Sequence, residues 1–154
     1  MGLSFMKLIK KQVKFNGQYF DKYYFDELNK SVKKSPLEEI EQKQLVANCK
    51  IKYKHLFKCM LHPVNESKSK PQYRAKLPML GLNKGASDWL VLVSNKKYGF
   101  LVIELKRSRL KDSSVSIDQK EFIHSTKEHG GYGCVCYGYK AALEVMEMYF
   151  NNLL

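Results

Sequence analysis

Two carboxylates and one ammonium group, those of Asp88, Glu104 and Lys106, stand at the ends of apolar runs in the middle of the sequence. On an extended strand the side chains of residues 104 and 106 point to the same face, because successive side chains alternate. Carboxylate oxygens suit a hard divalent cation, and a lysine beside them can assist deprotonation of a water or stabilise a charged transition state. These residue types and their spacing indicate a site for a divalent cation and an attacking water.

The elements that must position these groups are two predicted strands, at residues 89–93 and 100–106, joined by the polar segment 94–99. If the turn is centred near Lys96, antiparallel pairing places Asp88 directly opposite Glu104. A register slip of one or two residues would leave the two carboxylates as diagonal neighbours instead. The predicted hairpin therefore brings both acids to one edge of a sheet.

A structural alternative is that Asp88 caps the start of its strand while Glu104 and Lys106 form a surface ion pair, since strand ends are often polar. The neighbours of Glu104 disfavour this interpretation. Glu104 follows Phe-Leu-Val-Ile, a run typical of a strand buried on both faces. A carboxylate in that environment needs a partner or a metal ion.

The same residues carry a resemblance to a known family. Gly85-x-x-Asp88, Ile103-Glu104-x-Lys106 and the later Gln119 resemble the VRR-NUC family of the PD-(D/E)xK nuclease superfamily. The preceding Arg74-Ala75-Lys76 and Gly81-x-x-Lys84-Gly85 fit the family's lead-in to its catalytic hairpin. The resemblance covers roughly residues 36–149, and it departs from the family pattern at Ser87, where the family usually has proline.

The resemblance implies an α/β protein with the restriction-endonuclease-like PD-(D/E)xK fold, a mixed central β-sheet flanked by helices. It implies that Asp88 and Glu104 bind Mg²⁺ or Mn²⁺, with the backbone carbonyl of Leu105 as a further ligand. Lys106 would act on the attacking water or the transition state, and Gln119 would orient the water or the scissile phosphate.

The family also carries an acidic residue on its first helix that helps to hold the metal. Ser35-Pro36-Leu37-Glu38 predicts the start of that helix, with Ser35 as N-cap and Glu38 completing a capping box, and the helix is expected to run to about Lys58. We expect Glu41, on the inward face, to be the acidic residue, because Glu38 already has the capping role. For both glutamates the alternative is simply a favourable charge near a helix N-terminus.

Two further helices and a strand are predicted after the hairpin. Ser116-Ile117-Asp118-Gln119 opens a helix that ends at Gly130-Gly131, so Gln119 has a capping-box role as well as the one that the resemblance implies. A third strand is expected at residues 134–137. The closing helix carries a stripe that we interpret as core: Ala142, Val145, Met146, Tyr149 and Leu153.

The charge of the chain indicates its partner. Its 154 residues, one domain by size, carry a net charge of +12, which favours a polyanion, nucleic acid before an anionic membrane. The residues expected to grip phosphates are Arg74, Lys76, Lys84 and Arg107, although a solvated surface would also explain these charges. No apolar run reaches the ~20 residues that span a bilayer, and no basic amphipathic helix suggests membrane binding. His62, beside a proline, is expected to be structural.

The first 34 residues are expected to form an aromatic and basic extension that precedes a nuclease-like domain at residues 35–154. Asn16-Gly17 predicts a hairpin turn between residues 13 and 20. The aromatic side chains of this segment would pack against the domain or a second subunit, or stack on unpaired bases. The four cysteines are expected to be reduced thiols, since their spacing is unlike that of zinc ligands.

The resulting hypothesis is a Mg²⁺- or Mn²⁺-dependent DNA endonuclease of the cytoplasm, or of the host cytoplasm if a phage encodes it. The absence of a signal-peptide pattern supports that location. Similarity to junction resolvases favours branched DNA and a homodimer with residues 1–34 near the interface. The alternatives are a flap, nicking or non-specific nuclease, or a nucleic-acid-binding module without catalysis.

Overall fold

The computed structural model describes residues 6–63 and 70–154, which form a mixed six-stranded sheet with helices on both faces. The strands are β1 (Leu8–Phe15), β2 (Gln18–Phe25), β3 (Met60–Leu61), β4 (Trp89–Val91), β5 (Leu101–Lys106) and β6 (Tyr132–Tyr137). The helices are α1 (Asp26–Lys30), α2 (Glu38–Lys52), α3 (Pro71–Lys76), α4 (Ile117–Glu128) and α5 (Tyr139–Phe150). Short 3₁₀ turns lie at Phe57–Cys59, Pro78–Leu80 and Leu110–Asp112.

The strands lie in the order β1-β2-β6-β5-β4-β3. The central strand β6 pairs in parallel with both β2 and β5, and the remaining neighbours are antiparallel. This topology confirms the predicted α/β class and the mixed central sheet. Within the described residues, none of the helices combines the length and apolar character that a bilayer crossing requires.

The two faces of the sheet bury separate cores. Helices α2 and α5 cover one face, where Leu101, Ile103 and Leu105 of β5 are buried. Helix α4 covers the other face, where its Ile123 packs in one cluster with Val135 of β6. Because side chains alternate along β5, Glu104 and Lys106 lie on the α4 face.

The predicted N-terminal hairpin is confirmed. Asn16 and Gly17 both have positive φ angles (47° and 78°), and the register runs from Leu8 opposite Phe25 to Phe15 opposite Gln18. However, β2 also pairs with β6 from Asp21 to Tyr24, so the hairpin is an integral part of the sheet. Residues on both sides of the boundary expected after residue 34 therefore belong to one continuous sheet.

The predicted start and end of the first helix are wrong. Helix α2 begins at Glu38 with Leu37 as its N-cap, and no side chain caps it. The Ser35 hydroxyl and backbone N–H both donate to Asp112 Oδ2, at 2.6 and 3.0 Å, so this side chain holds a distant loop instead. The helix ends at Lys52 and not near Lys58, because the chain turns into the 3₁₀ segment Phe57–Cys59 and then into β3.

The later predictions fare better. The capping box that opens α4 is confirmed, and the expected third strand is β6, which begins two residues earlier than predicted. The closing helix buries most of its predicted stripe, including Val145 and Met146, which are fully inaccessible. Leu153 is 68% exposed, beyond the end of α5 at Phe150, so its assignment to the core is wrong.

Candidate active site

The β4–β5 hairpin brings Asp88 and Glu104 together in the predicted register. Trp89 lies opposite Ile103 and Leu90 opposite Val102, which places the preceding Asp88 beside Glu104. Asp88 itself precedes β4 and lies outside the paired residues of the hairpin. Its Oδ2 instead accepts a hydrogen bond of 2.9 Å from the backbone N–H of Leu105, which fixes the carboxylate at the end of β4.

The two oxygens of Glu104 have different surroundings. The residue is fully buried. Oε1 accepts hydrogen bonds from Lys106 Nζ, at 2.9 Å, and from Gln119 Nε2. Oε2 is buried and has no hydrogen-bond donor among the described residues. A buried carboxylate oxygen without a donor is costly, so this atom is the one most in need of a cation.

Glu104 holds its proton unusually tightly, because its pKa is raised. Burial, together with the neighbouring negative charge of Asp88, raises the pKa of Glu104 to about 8, against the opposing effect of Lys106. Burial lowers the pKa of Lys106, but the carboxylates of Glu104, Glu38 and Asp88 outweigh it and keep that pKa above its ordinary value. Lys106 is therefore charged at neutral pH, whereas Glu104 without a bound cation is mostly protonated, because a single lysine cannot compensate two carboxylates.

Gln119 joins the start of α4 to the buried acid. Its side-chain carbonyl accepts from the Ser116 backbone N–H at 2.9 Å, and its own backbone N–H donates to Ser116 Oγ at 3.2 Å. The amide nitrogen of the same side chain remains free to donate to Glu104. The capping box and the contact with Glu104 thus coexist in one side chain.

The first helix presents a different glutamate from the one expected. Glu38 Oε1 lies 3.7 Å from Lys106 Nζ, whereas Glu41 points to the start of α5. Glu41 accepts from Ser108 Oγ and, at 2.9 Å, from the backbone N–H of Tyr139. Because Ser35 bonds to a distant loop, Glu38 has no capping role and is available to Lys106. No local signal in the sequence indicates that Glu38, and not Glu41, lies beside Lys106.

The loop before Asp88 is held close to helix α4. Gly85 has a φ of +83°, and a Cβ at this position would lie 2.6 Å from the backbone of Asp118. Only glycine combines that conformation with that approach. On the other side, His62 Nδ1 lies 2.5 Å from the Asp88 carbonyl oxygen, a backbone contact that matches the structural role expected for this histidine.

The four predicted phosphate-binding residues have different environments. Arg74 and Lys76 are exposed on α3, and Lys84 is exposed with its Nζ 3.0 Å from Asp118. Arg107 instead is half-buried and bonded to the protein's own backbone. Its guanidinium donates to the backbone carbonyls of Pro36 (2.9 Å) and Ser35, so it ties the α2 lead-in to the end of β5. The structure therefore offers three of the four to a ligand.

A groove of about 460 Å³ continues the site along the same face of the sheet. Leu90 and Val102, the register pair next to Asp88 and Glu104 on that face, form part of its lining. The wall from α4 includes Phe122, and Asn83 and Lys84 also belong to the lining. This groove gives an elongated ligand a path beside the carboxylates.

The residues present fit a divalent cation that keeps most of its water. Within residues 6–63 and 70–154, no three His, Cys, Asp or Glu side chains converge to hold a metal. The oxygens offered are those of Asp88 and Glu104 and the carbonyl of Leu105, which points to the same side of its strand as the N–H that contacts Asp88. Mg²⁺ commonly binds through one or two carboxylates plus waters and substrate phosphates. The unpartnered Glu104 Oε2 supports the same assignment.

Comparison with solved structures finds a protein described as a VRR_NUC domain protein. It is 23% identical to this chain, and the likeness covers 77% of this chain and 92% of that one with a TM-score of 0.64. No protein-family model matches the sequence, and no curated protein matches it. At this identity the likeness shows a shared fold, the mixed sheet with flanking helices.

Proposed function

We propose that this protein is a metal-dependent nuclease of the VRR-NUC family and the PD-(D/E)xK superfamily that hydrolyses phosphodiester bonds in DNA. The observation that carries the proposal is the buried Glu104 with an unpartnered oxygen beside a second carboxylate, Asp88, and a charged Lys106. Such a cluster is unfavourable in a purely structural role, because two acidic side chains, one of them fully buried, have only Lys106 to compensate their charge. The description of the structural neighbour as a VRR_NUC domain protein supports the same class.

In this proposal Asp88, Glu104 and the Leu105 carbonyl hold Mg²⁺ or Mn²⁺. When bound, the ion lowers the pKa of a coordinated water and neutralises charge on the phosphate. Lys106, buried and charged, is placed to stabilise negative charge that develops on the phosphate oxygens. Gln119 keeps Oε1 of Glu104 oriented, which leaves Oε2 directed away from its donors.

The substrate in this proposal is DNA. The net charge of +12 favours a polyanion. Lys84 lines the groove beside the acids, and Arg74 and Lys76 are exposed on α3. The sequence resemblance favours four-way junctions as the substrate and a homodimer as the active form. Flaps, nicked duplex and linear DNA offer phosphates of the same chemistry, and a cleavage panel distinguishes them.

The test is cleavage of a panel of four-way junctions, flaps, nicked and linear DNAs with Mg²⁺, with Mn²⁺ or with EDTA. We expect cleavage with either metal, none with EDTA, and a loss of about 100-fold or more in Asp88→Asn and Glu104→Gln. Glu144→Gln, which removes an exposed carboxylate on α5, is the matched control and should cleave normally. Full activity of Glu104→Gln, or activity in EDTA, would refute the mechanism.

A readout without cleavage uses thermal unfolding at pH 8. Mg²⁺ at ten times its Kd should stabilise the wild-type protein by about 1.4 kcal/mol. Asp88→Asn should lose this stabilisation and Glu144→Gln should keep it. Equal stabilisation of all three proteins would place the cation elsewhere.

A further inference from the structure

Three lysines from three different elements converge beside the candidate active site. Lys11 of β1, Lys22 of β2 and Lys120 of α4 line one depression of about 380 Å³. The remaining lining is neutral and includes Tyr24, Tyr137 and the hydroxyl-bearing Ser113 and Ser114. No acidic side chain belongs to this lining, which distinguishes the depression from an ordinary surface where both signs alternate.

The lysines have no acidic partners in the part of the chain that the structure describes. Lys10, next along β1, forms an ion pair with Asp21, but none of Lys11, Lys22 and Lys120 forms one among these residues. Burial, and then the charges of Lys120 and Lys11, lower the pKa of Lys22. The three ammonium groups thus repel one another, and an anion between them would relieve the repulsion.

Aromatic rings hold two of these side chains in place. Lys22 Nζ lies over the Tyr137 ring at 5.7 Å, and Lys120 Nζ lies over the Phe15 ring at 5.3 Å from the centroid. Lys22 is also partly buried. The lysine positions are therefore more fixed than those of long, freely solvated side chains, which lowers the entropy cost of binding an anion.

The register of the sheet aligns these lysines with the acids. Glu104 of β5 is the partner of Val135 on β6, Val135 is the partner of Lys22 on β2, and Lys22 is the partner of Lys11 on β1. Register partners present their side chains on the same face, so the acids and the lysines form one row across the strands. Lys120 reaches this row from α4, immediately after the Gln119 that bonds to Glu104.

From this geometry we propose that Lys11, Lys22 and Lys120 form a phosphate-binding site for the backbone of the same nucleic acid strand that reaches Asp88 and Glu104. Two strand spacings, ~10 Å, separate Glu104 from Lys22. That distance corresponds to about three nucleotides of a duplex strand at ~3.4 Å per step. This site would bind the substrate through the N-terminal hairpin and α4. Arg107, predicted to bind phosphate, is instead bonded to the backbone carbonyls of the α2 lead-in.

The inference rests on the proposed function for the identity of the ligand, but its test requires no cleavage. DNA binding to a fluorescent duplex is measured in EDTA between 50 and 200 mM salt, for the wild type and for the triple variant Lys11→Gln/Lys22→Gln/Lys120→Gln. The expected result is more than tenfold weaker binding at low salt. The slope of log K against log salt should fall by about two to three units, since each phosphate contact contributes about 0.9.

The matched control is Lys50→Gln/Lys54→Gln/Lys58→Gln, which removes the same charge from exposed positions in and after α2, the helix on the other face of the sheet. Its slope should stay near that of the wild type. Equal slopes for both triple variants would overturn the proposal, because net charge alone would then explain the effect. If the triple variant does not fold, Lys22→Met keeps the aliphatic stem on Tyr137, and its slope should fall by about one unit.

A second arm uses inorganic phosphate at constant ionic strength, read as a shift in thermal unfolding. The wild type should be stabilised relative to chloride and the triple variant should not. If the variant loses the phosphate effect but binds DNA like the wild type, the site serves a free anion and the proposal is wrong. If the triple variant binds DNA more weakly while Glu104→Gln cleaves DNA normally, the proposed function is refuted and this inference stands.

Discussion

Glu104 illustrates how one buried side chain combines structural and chemical roles. Its Oε1 is bonded to Lys106 and Gln119, which fixes the orientation of the carboxylate, and its Oε2 has no donor among the described residues. A carboxylate with both oxygens satisfied would be a stable structural element with little need of a cation. The asymmetry leaves the site with an unmet electrostatic requirement, which binding of a cation would meet.

The raised pKa of Glu104 predicts a pH dependence of stability. Its pKa is about 8 in the folded protein, against an ordinary value of 4.5, so the unfolded chain ionises first as the pH rises. In EDTA, unfolding should therefore become easier between about pH 5 and pH 8 and change little from this source above pH 8. The raised pKa of Lys106 acts only near and above its ordinary value of 10.5, outside this window.

The measurement is thermal unfolding in EDTA from pH 5 to pH 9, with Glu104→Gln beside the wild type. The variant has no ionisable group at this position and should show a flatter profile, with its largest gain in stability near pH 8. Glu144→Gln controls for the loss of one acid elsewhere. Parallel profiles for wild type and Glu104→Gln would show that another group causes the dependence.

Lys106 has a separable role in turnover. Lys106→Met keeps the length of the stem but removes the charge, so turnover should fall by about 100-fold or more while DNA affinity hardly changes. Steady-state cleavage measures the turnover, and DNA binding in EDTA measures the affinity. A variant that loses mainly affinity would mean that Lys106 binds the substrate rather than assisting the reaction.

At the scale of elements, the close approach of the loop before β4 to the first turn of α4 positions Asp88 relative to Gln119. Gly85 and Gly81 both have φ angles in the left-handed region, +83° and +90°. A side chain at Gly85 would meet the backbone of Asp118, whereas nothing lies within 4 Å of a Cβ at Gly81. A comparison of substitutions at the two glycines therefore separates the effect of backbone strain from that of the steric contact with α4.

Gly85→Ala should therefore destabilise the protein by ~1–3 kcal/mol more than Gly81→Ala, because it adds overpacking against a rigid helix turn to the same strain. Cleavage should fall in Gly85→Ala beyond what the loss of folded protein explains, since Asp88 follows the displaced loop. Denaturant unfolding and activity per folded molecule check this. Equal effects of the two substitutions would mean that the loop is not constrained by α4.

Local elements are the part of this fold that the sequence predicts well. The Asn16-Gly17 turn, the Ser116–Gln119 capping box and the register of Asp88 opposite Glu104 each depend on residues close in sequence, and the structure contains all three. The capping of α2 by Ser35 fails because Asp112, distant in sequence, is a better partner for that hydroxyl. The same long-range contact frees Glu38 for Lys106, which the sequence pattern does not reveal.

At the scale of the whole molecule, the sheet determines what a dimer can use. Residues 1–34 are predicted to lie near a dimer interface, yet β1 and β2 complete the sheet and Phe20, Tyr23 and Phe25 are buried within the subunit. A chain that starts at Ser35 would expose the edge of β6 and the apolar surface that these rings cover. We expect such a truncation to aggregate, so it cannot report on dimerisation.

The dimer is better tested with the full chain. Light scattering at tens of micromolar, with and without a four-way junction, should give the mass of two subunits in at least one condition, because symmetric incision of a junction needs two sites. A monomer in both conditions would exclude the resolvase hypothesis and favour a flap or nicking nuclease. The pairing of β2 with β6 was not predictable, since nothing near either strand specifies a partner so distant in sequence.

That pairing also has a consequence for biosynthesis. The first hairpin can close by itself once it has left the ribosome, but Asp21 finds its partner Cys134 only after the residues between them have been made. At about 5–20 residues per second, the hairpin waits roughly 5–20 s with the aromatic face of β2 uncovered. Strand β6, the last to be translated, is also the one that joins β2 to β5. The sheet that aligns the acids with the lysines is therefore completed only after β6 has been made.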